Sequence, residues 1–128
     1  MANEKTTRNL TRSEKIVDTI MKELYRLGLA YNPDMPMFEK TIRRLAEEFY
    51  ELVDEGEFEK AYTAMSRIET TAITFVNALW LHKHISFTVA SVLKKRFSSY
   101  ANLYRLDVRS RSLEMKNEYA EDYNIDNE

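Results

Sequence analysis

Apolar residues recur every three or four positions along most of this chain, the spacing that places them on one face of an α-helix. Thr11 and Glu14 form a T-x-x-E capping box, which predicts that the first helix begins at Thr11. Gly28 is predicted to end that helix in the left-handed conformation. Residues 1–10 are polar and are predicted to form a flexible lead-in. The first apolar stripe contains Ile16, Val17, Ile20, Met21, Leu24 and Leu27.

The two prolines at Pro33 and Pro36 predict a connection, because proline lacks the amide donor that a helix interior needs. A second helix is predicted from Met37 to Asp54, and Gly56 then predicts a tight αα-hairpin. Its inner face contains Phe38, Ile42, Leu45, Phe49, Leu52 and Val53. The stripe of the third helix contains Phe58, Ala61, Tyr62, Met65, Ile68, Ala72, Phe75, Val76 and Leu79.

A fourth apolar stripe follows without an intervening Gly or Pro, so two interpretations of residues 58–106 stay open. The favoured one is a kink or short loop near residues 82–86. The other is a single rod of nearly fifty residues, which would be far longer than an ordinary globular helix. The pattern fades after Leu106, and residues 107–128 are predicted to form an acidic tail. The fourth stripe contains Ile85, Val89, Val92, Leu93, Phe97, Tyr100 and Tyr104.

The sequence Gly56-Glu57-Phe58-Glu59-Lys60-Ala61 resembles the turn between the two helices of a tetratricopeptide repeat. The resemblance covers little more than one turn, and Phe49 stands where those repeats have a small residue. No second copy follows at a period of about 34 residues. The segment is therefore interpreted as a generic αα-hairpin, and no binding residue is inferred from the resemblance.

Composition supports one all-α domain, a bundle of about four helices over residues 11–106. A chain of 128 residues is long enough to bury its own core, and two Gly and two Pro are too few for the many turns of an all-β protein. The absence of cysteine excludes disulfides and favours a cytoplasmic location. The longest weakly charged run, residues 70–81, is too short to cross a bilayer, so no membrane partner is expected.

Sequence motifs for chemistry are sparse. His82 and His84 would diverge by about 200° on a helix and could not chelate one metal ion together. The acidic row Glu47, Glu51 and Glu55 lies opposite the apolar stripe and is interpreted as a solvated face. No nucleophile motif or glycine-rich phosphate loop is present. We therefore expect no enzymatic activity, no metal, no cofactor and no small-molecule substrate.

Charge is distributed unevenly along the chain. The net charge is +2 over residues 1–30, −5 over residues 31–70, +6 over residues 71–112 and −5 over residues 113–128. Cations interleaved with aromatic rings could contact nucleic acid, or they could pair with the acidic segments of the same chain. The candidate contacts for nucleic acid or another anion are Lys94, Lys95, Arg96, Arg105, Arg109 and Arg111.

These observations favour a non-enzymatic helical interaction module, such as a self-associating subunit, an adaptor or a small inhibitor of a larger assembly. Trp80, Leu81 and Phe87 exceed what one buried stripe requires and form the candidate protein interface. The expected partner is another protein or a second copy of the chain. One alternative is nucleic-acid association through the basic segment 83–111. Another is mimicry of nucleic acid by an acidic surface comprising Glu47, Glu48, Glu51 and Glu55.

Overall fold

A computed structural model describes the backbone of residues 4–126 and the side chains of residues 12–115. Its elements are α1 (Glu4–Tyr25), a short 3-10 turn (Leu29–Tyr31), α2 (Met35–Asp54), α3 (Phe58–Leu81) and α4 (Phe87–Asp126). No strand occurs in the described backbone. The prediction of an all-α, single-domain bundle is confirmed, and the predicted hairpin around Gly56 joins α2 to α3.

Each helix runs antiparallel to the next, as pairs of residues near the helix ends show. The rings of Phe38, near the start of α2, and Phe75, near the end of α3, stack with their centroids 4.2 Å apart. Arg12 of α1 forms a 2.8 Å ion pair with Asp54, the last residue of α2. The α1–α2 and α3–α4 connections therefore lie at one end of the bundle, and the Gly56 hairpin lies at the other.

The predicted apolar stripes supply most of the core, but three of their members are exposed. Leu27, Tyr62 and Val92 were expected to be buried, and each leaves more than a third of its surface in solvent. Tyr62 and Val92 lie at the edges of their stripes, and Leu27 lies in the turn that follows α1. Small residues fill several buried positions instead and let the helices approach closely: Ala46, Ala61, Ala64, Ala72, Ala90 and Ala101.

The predicted break between the third and fourth helices is confirmed, and it is built without glycine or proline. Lys83 adopts a left-handed backbone with φ of 63°. The N–H of His84 then donates to the carbonyl of Leu79 at 2.8 Å, which closes the end of α3. The Ser86 hydroxyl accepts a 3.1 Å hydrogen bond from the N–H of Val89 and caps the start of α4.

The outer ends of the first and last helices differ from the prediction. α1 begins at Glu4, so Thr11 is inside the helix and cannot be its N-cap; the start predicted from the capping box is wrong. α4 continues past Leu106 as far as Asp126, and Val108 is buried in the bundle. At 1.5 Å per residue α4 is about 60 Å long and α3 about 36 Å, so α4 extends beyond its neighbour.

Candidate protein-interaction surface

The three residues of the predicted protein interface lie together at the α3–α4 connection. Trp80 and Leu81 are the last residues of α3, and Phe87 is the first residue of α4. All three are exposed. The rings of Trp80 and Phe87 meet edge to face with a centroid distance of 5.4 Å and an interplanar angle of 64°. This contact orders two large aromatic side chains at the surface before any partner is present.

Exposed apolar residues in and beside the α1–α2 connection lie at the same end of the bundle. They are Tyr25, Leu27, Tyr31 and Met37, and Tyr31 is 96% exposed. Together with Trp80, Leu81 and Phe87 they form what we call the loop-end surface. Sequence reasoning missed these four residues, because their position beside the α3–α4 connection follows only from the antiparallel order of the helices.

His82 and His84 belong to the same connection and are exposed, with ring centroids 6.5 Å apart. They lie in a turn rather than on a helix. Within the part of the chain that the structure describes, no group of three His, Cys, Asp or Glu side chains is placed to hold a metal ion. His82, Lys83 and His84 therefore form a polar segment beside the apolar loop-end surface.

Half of the basic candidates are bound to carboxylates of the same chain. Arg96 pairs with Glu23 at 2.7 Å, Arg105 with Glu69 at 2.9 Å and Arg111 with Asp107 at 3.1 Å. The other three, which form no ion pair among the described side chains, are Lys94, Lys95 and Arg109. Lys95 and Arg109 are exposed about 21 Å apart along α4. The structure therefore does not gather the six cations into one patch.

Glu23 links α1 to α4 and was not identified from the sequence. Only 8% of its surface is exposed. One carboxylate oxygen accepts a hydrogen bond from Arg96, and the other accepts one from the Tyr100 hydroxyl at 3.1 Å. Burial, followed by this hydrogen bond to Glu23, raises the pKa of Tyr100. Arg96 and Tyr100 thus serve the internal packing of the bundle.

Arg105 is largely covered, with 11% of its side chain exposed. Its guanidinium donates to both carboxylate oxygens of Glu69, at 2.9 and 3.2 Å, and also to Ser66 and Asn102. The hydrogen bond from Arg105 lowers the pKa of Glu69 against the opposing effect of burial. Arg105 is therefore a bidentate link between α3 and α4.

The acidic candidates follow one side of α2. Glu51 and Glu55 are exposed, whereas Glu47 and Glu48 are half-buried. Glu48 lies 4.0 Å from Arg67 of α3, and 46% of its own side chain and 62% of the Arg67 side chain are exposed. The two exposed carboxylates, Glu51 and Glu55, lie at the Gly56 end of the bundle, and the loop-end surface lies at the other end.

Comparisons with models of protein families, with curated proteins and with solved structures give no match to this chain. Among the described helices, none combines the length and the apolar character needed to cross a membrane.

Proposed function

We propose that this chain is a non-enzymatic helical interaction module that binds a protein partner through the loop-end surface. The observation that carries the proposal is the concentration of seven exposed large apolar side chains at one end of a small bundle. Monomeric proteins rarely leave large apolar patches in water without a use for them. Trp, Tyr, Phe and Met are also the residues enriched at the centres of protein interfaces.

The order already present at this surface supports the same proposal. Trp80 and Phe87 are in contact with each other, and the turn between them is held by Lys83 and Ser86. Aromatic anchors that are fixed before binding lose less conformational entropy when a partner covers them. Binding at this end should therefore require little rearrangement of the bundle.

Nucleic-acid association through the basic segment receives less support. Arg96, Arg105 and Arg111 are neutralised by carboxylates of their own chain. Phosphate binding would have to compete with those ion pairs. The acidic-mimic alternative likewise rests on two exposed carboxylates, Glu51 and Glu55, rather than on an extended acidic face.

The proposal can be tested by affinity capture from an extract of the source organism with three forms of the full chain. The variant Leu81→Lys/Phe87→Lys places charge on the loop-end surface. The variant Leu103→Lys places charge on an equally exposed leucine of α4. We expect a partner that is captured by the wild type and by Leu103→Lys and is lost from the double variant. Capture of every partner by the double variant, or of none by the wild type, would reject the proposal.

A further inference from the structure

Helix α4 has two apolar faces, and only one of them belongs to the core. The buried face contains Ala90, Leu93, Phe97, Ala101 and Val108. At about 100° per residue, a second set of residues lies on the opposite side of the helix within an arc of about 80°. That set, which we call the outer seam, contains Val92, Ser99, Leu103, Leu106, Ser110 and Leu113, and all six are exposed.

The outer seam has the spacing of a coiled coil. Val92, Ser99, Leu106 and Leu113 recur every seven residues, and Leu103 and Ser110 interleave with them at alternating steps of three and four. In coiled-coil terms the first set occupies d positions and the second occupies a positions. A helix that is amphipathic only towards its own core would show no such repeat on its solvent side.

We propose that the outer seam is a self-association surface, on which α4 of a second copy of this chain packs in parallel. In a parallel pair, Leu103 and Leu106 would each meet the same residue of the second copy. The small side chains would allow close approach of the two helices, Ser99 next to the Leu103 layer and Ser110 between the layers of Leu106 and Leu113. Arg96, the other residue at an a position, is drawn towards α1 by Glu23, which also neutralises its charge.

Charge complementarity selects the second copy and its orientation. Residues at g positions face residues at e positions five places later in a parallel partner. This register brings Arg109 to Glu114 of the second copy and Asn102 to Asp107 of the second copy, twice each by symmetry. An antiparallel pair with the same leucines in contact would instead place Arg109 beside Asn102 and form no ion pair there.

The size of the outer seam predicts a weak dimer. The distance from Val92 to Leu113 is about 32 Å, and a contact strip about 10 Å wide gives roughly 300 Å² per copy. A stable interface usually needs about 800 Å² per partner. We therefore expect a dimer with a dissociation constant in the micromolar range or above, so that the dimeric fraction rises with protein concentration.

Sedimentation equilibrium on the full chain, over about 10 µM to 1 mM, tests the self-association. The wild-type mass should rise from 15.2 kDa towards twice that value. The variant Leu103→Glu/Leu106→Glu should remain monomeric over the same range while keeping its helical circular dichroism. The matched control is Leu81→Glu, because Leu81 and Leu103 are 68% and 66% exposed, and it should dimerise like the wild type.

A wild type that stays monomeric would overturn the proposal, and so would a dimer abolished by Leu81→Glu but not by the α4 variant. The second of these results would move self-association to the loop-end surface. Leu81→Glu changes the loop-end surface, and Leu103→Glu/Leu106→Glu changes the outer seam. A loss of partner binding and a loss of dimerisation would therefore be seen in different variants.

The orientation is tested by a single cysteine, since the chain contains none. A cysteine at position 106 would face its own copy across a parallel pair, within the separation that a disulfide spans. Leu106→Cys should therefore form a disulfide-linked dimer on mild oxidation, many times faster than Thr70→Cys on the exposed surface of α3. Equal rates for the two variants would overturn the parallel pairing.

Discussion

At the scale of single residues, the Glu69–Arg105 pair gives the clearest expectation for stability. Both side chains are largely covered, and the two hydrogen bonds between them are bidentate. Replacing Arg105 with Met keeps its apolar contacts but leaves the Glu69 carboxylate without its guanidinium donor. We expect Arg105→Met to destabilise the protein by about 1–3 kcal/mol in urea unfolding at pH 7. Arg109→Met, on the exposed side of α4, is the control and should change stability by less than about 0.5 kcal/mol.

The difference in stability between wild type and Arg105→Met should depend on pH, because the Glu69 carboxylate titrates. Arg105 lowers the pKa of Glu69 from its ordinary 4.5, so the folded protein binds the Glu69 proton more weakly than the unfolded chain does. The stabilisation is therefore complete above about pH 4.5 and is lost as the pH falls through the lowered value. The gap between wild type and Arg105→Met should narrow in unfolding measurements towards pH 3. A gap that is equally wide at pH 3 and pH 7 would contradict this assignment.

Tyr50 gives a second titration, with the opposite sign. Burial raises its pKa to about 12, with a smaller contribution from Tyr104. The folded protein thus retains the phenolic proton over a range in which the unfolded chain has lost it. The stability associated with Tyr50 should be complete below about pH 10 and should disappear as the pH rises to about 12. The difference between the absorbance titrations of wild type and Tyr50→Phe should show this late midpoint, and a midpoint near pH 10 would refute it.

Sequence periodicity identified core residues well and misplaced those at the stripe edges. It shows which side of a helix faces inward, but the width of the buried face depends on how far the neighbouring helix extends. That is why Tyr62 and Val92 were assigned to the core although they are exposed. The burial of Glu23 was not predictable in this way, because its partners, Arg96 and Tyr100, are more than seventy residues away in the chain.

At the scale of elements, two turns adopt the same left-handed backbone with different residues. Gly56 has φ of 77° and Lys83 has φ of 63°. A side chain costs about 1–2 kcal/mol in this conformation, whereas glycine adopts it freely. No atom lies within 4 Å of a Cβ placed on Gly56, so only the backbone conformation opposes a substitution there. Gly56→Ala should therefore lower the free energy of unfolding by about 1 kcal/mol.

The reverse substitution at the other turn should stabilise the protein. Lys83→Gly relieves the left-handed strain and should raise the free energy of unfolding by about 0.5–1 kcal/mol. Lys95→Gly, within α4, serves as the control and should lower it by about 1 kcal/mol. Chemical denaturation of the three proteins provides the comparison, and a destabilised Lys83→Gly variant would contradict the account of this turn.

The residues at the turns explain which helix boundaries could be predicted from the sequence. Gly28 and Gly56 mark their turns by composition, and both adopt a positive φ. The α3–α4 break could be placed near residues 82–86 only by the change in periodicity, because Lys83 gives no compositional signal. The end of α4 was missed for another reason. Among the described side chains beyond Leu106, those of residues 107–115, Val108 is the one that is buried in the core, and one buried residue does not make a periodic pattern.

At the scale of the whole molecule, only part of the proposed loop-end surface could be predicted from the sequence. Trp80, Leu81 and Phe87 could be selected from the sequence, because they exceed the apolar residues that one stripe needs. Tyr31 and Met37 could not, since nothing in their local sequence places them beside the α3–α4 connection. Their common position results from the antiparallel packing of successive helices, which makes two distant connections neighbours.

The distribution of charge over the whole molecule leads to the last prediction. Deleting residues 113–128 changes the net charge from −2 to +3 and leaves every buried residue of the described core in place. We expect the shortened chain to unfold cooperatively and to bind a short DNA duplex only at low salt. Lys94, Lys95 and Arg109 are the basic-segment candidates that form no ion pair with any side chain of residues 12–115. Three phosphate contacts predict a slope of about −3 for log K against log salt concentration.

Fluorescence anisotropy at several salt concentrations gives that slope. The slope shows whether the arginines of the basic segment bind phosphate or stay in ion pairs with their own chain. If Arg96, Arg105 and Arg111 also bound phosphate, six contacts would give a slope of about −5. Such a slope would require the ion pairs with Glu23, Glu69 and Asp107 to open on binding, and nucleic acid would then become the better candidate partner. Lys94→Ala/Lys95→Ala in the shortened chain is the control, and it should reduce the slope to about −1 because Arg109 alone remains.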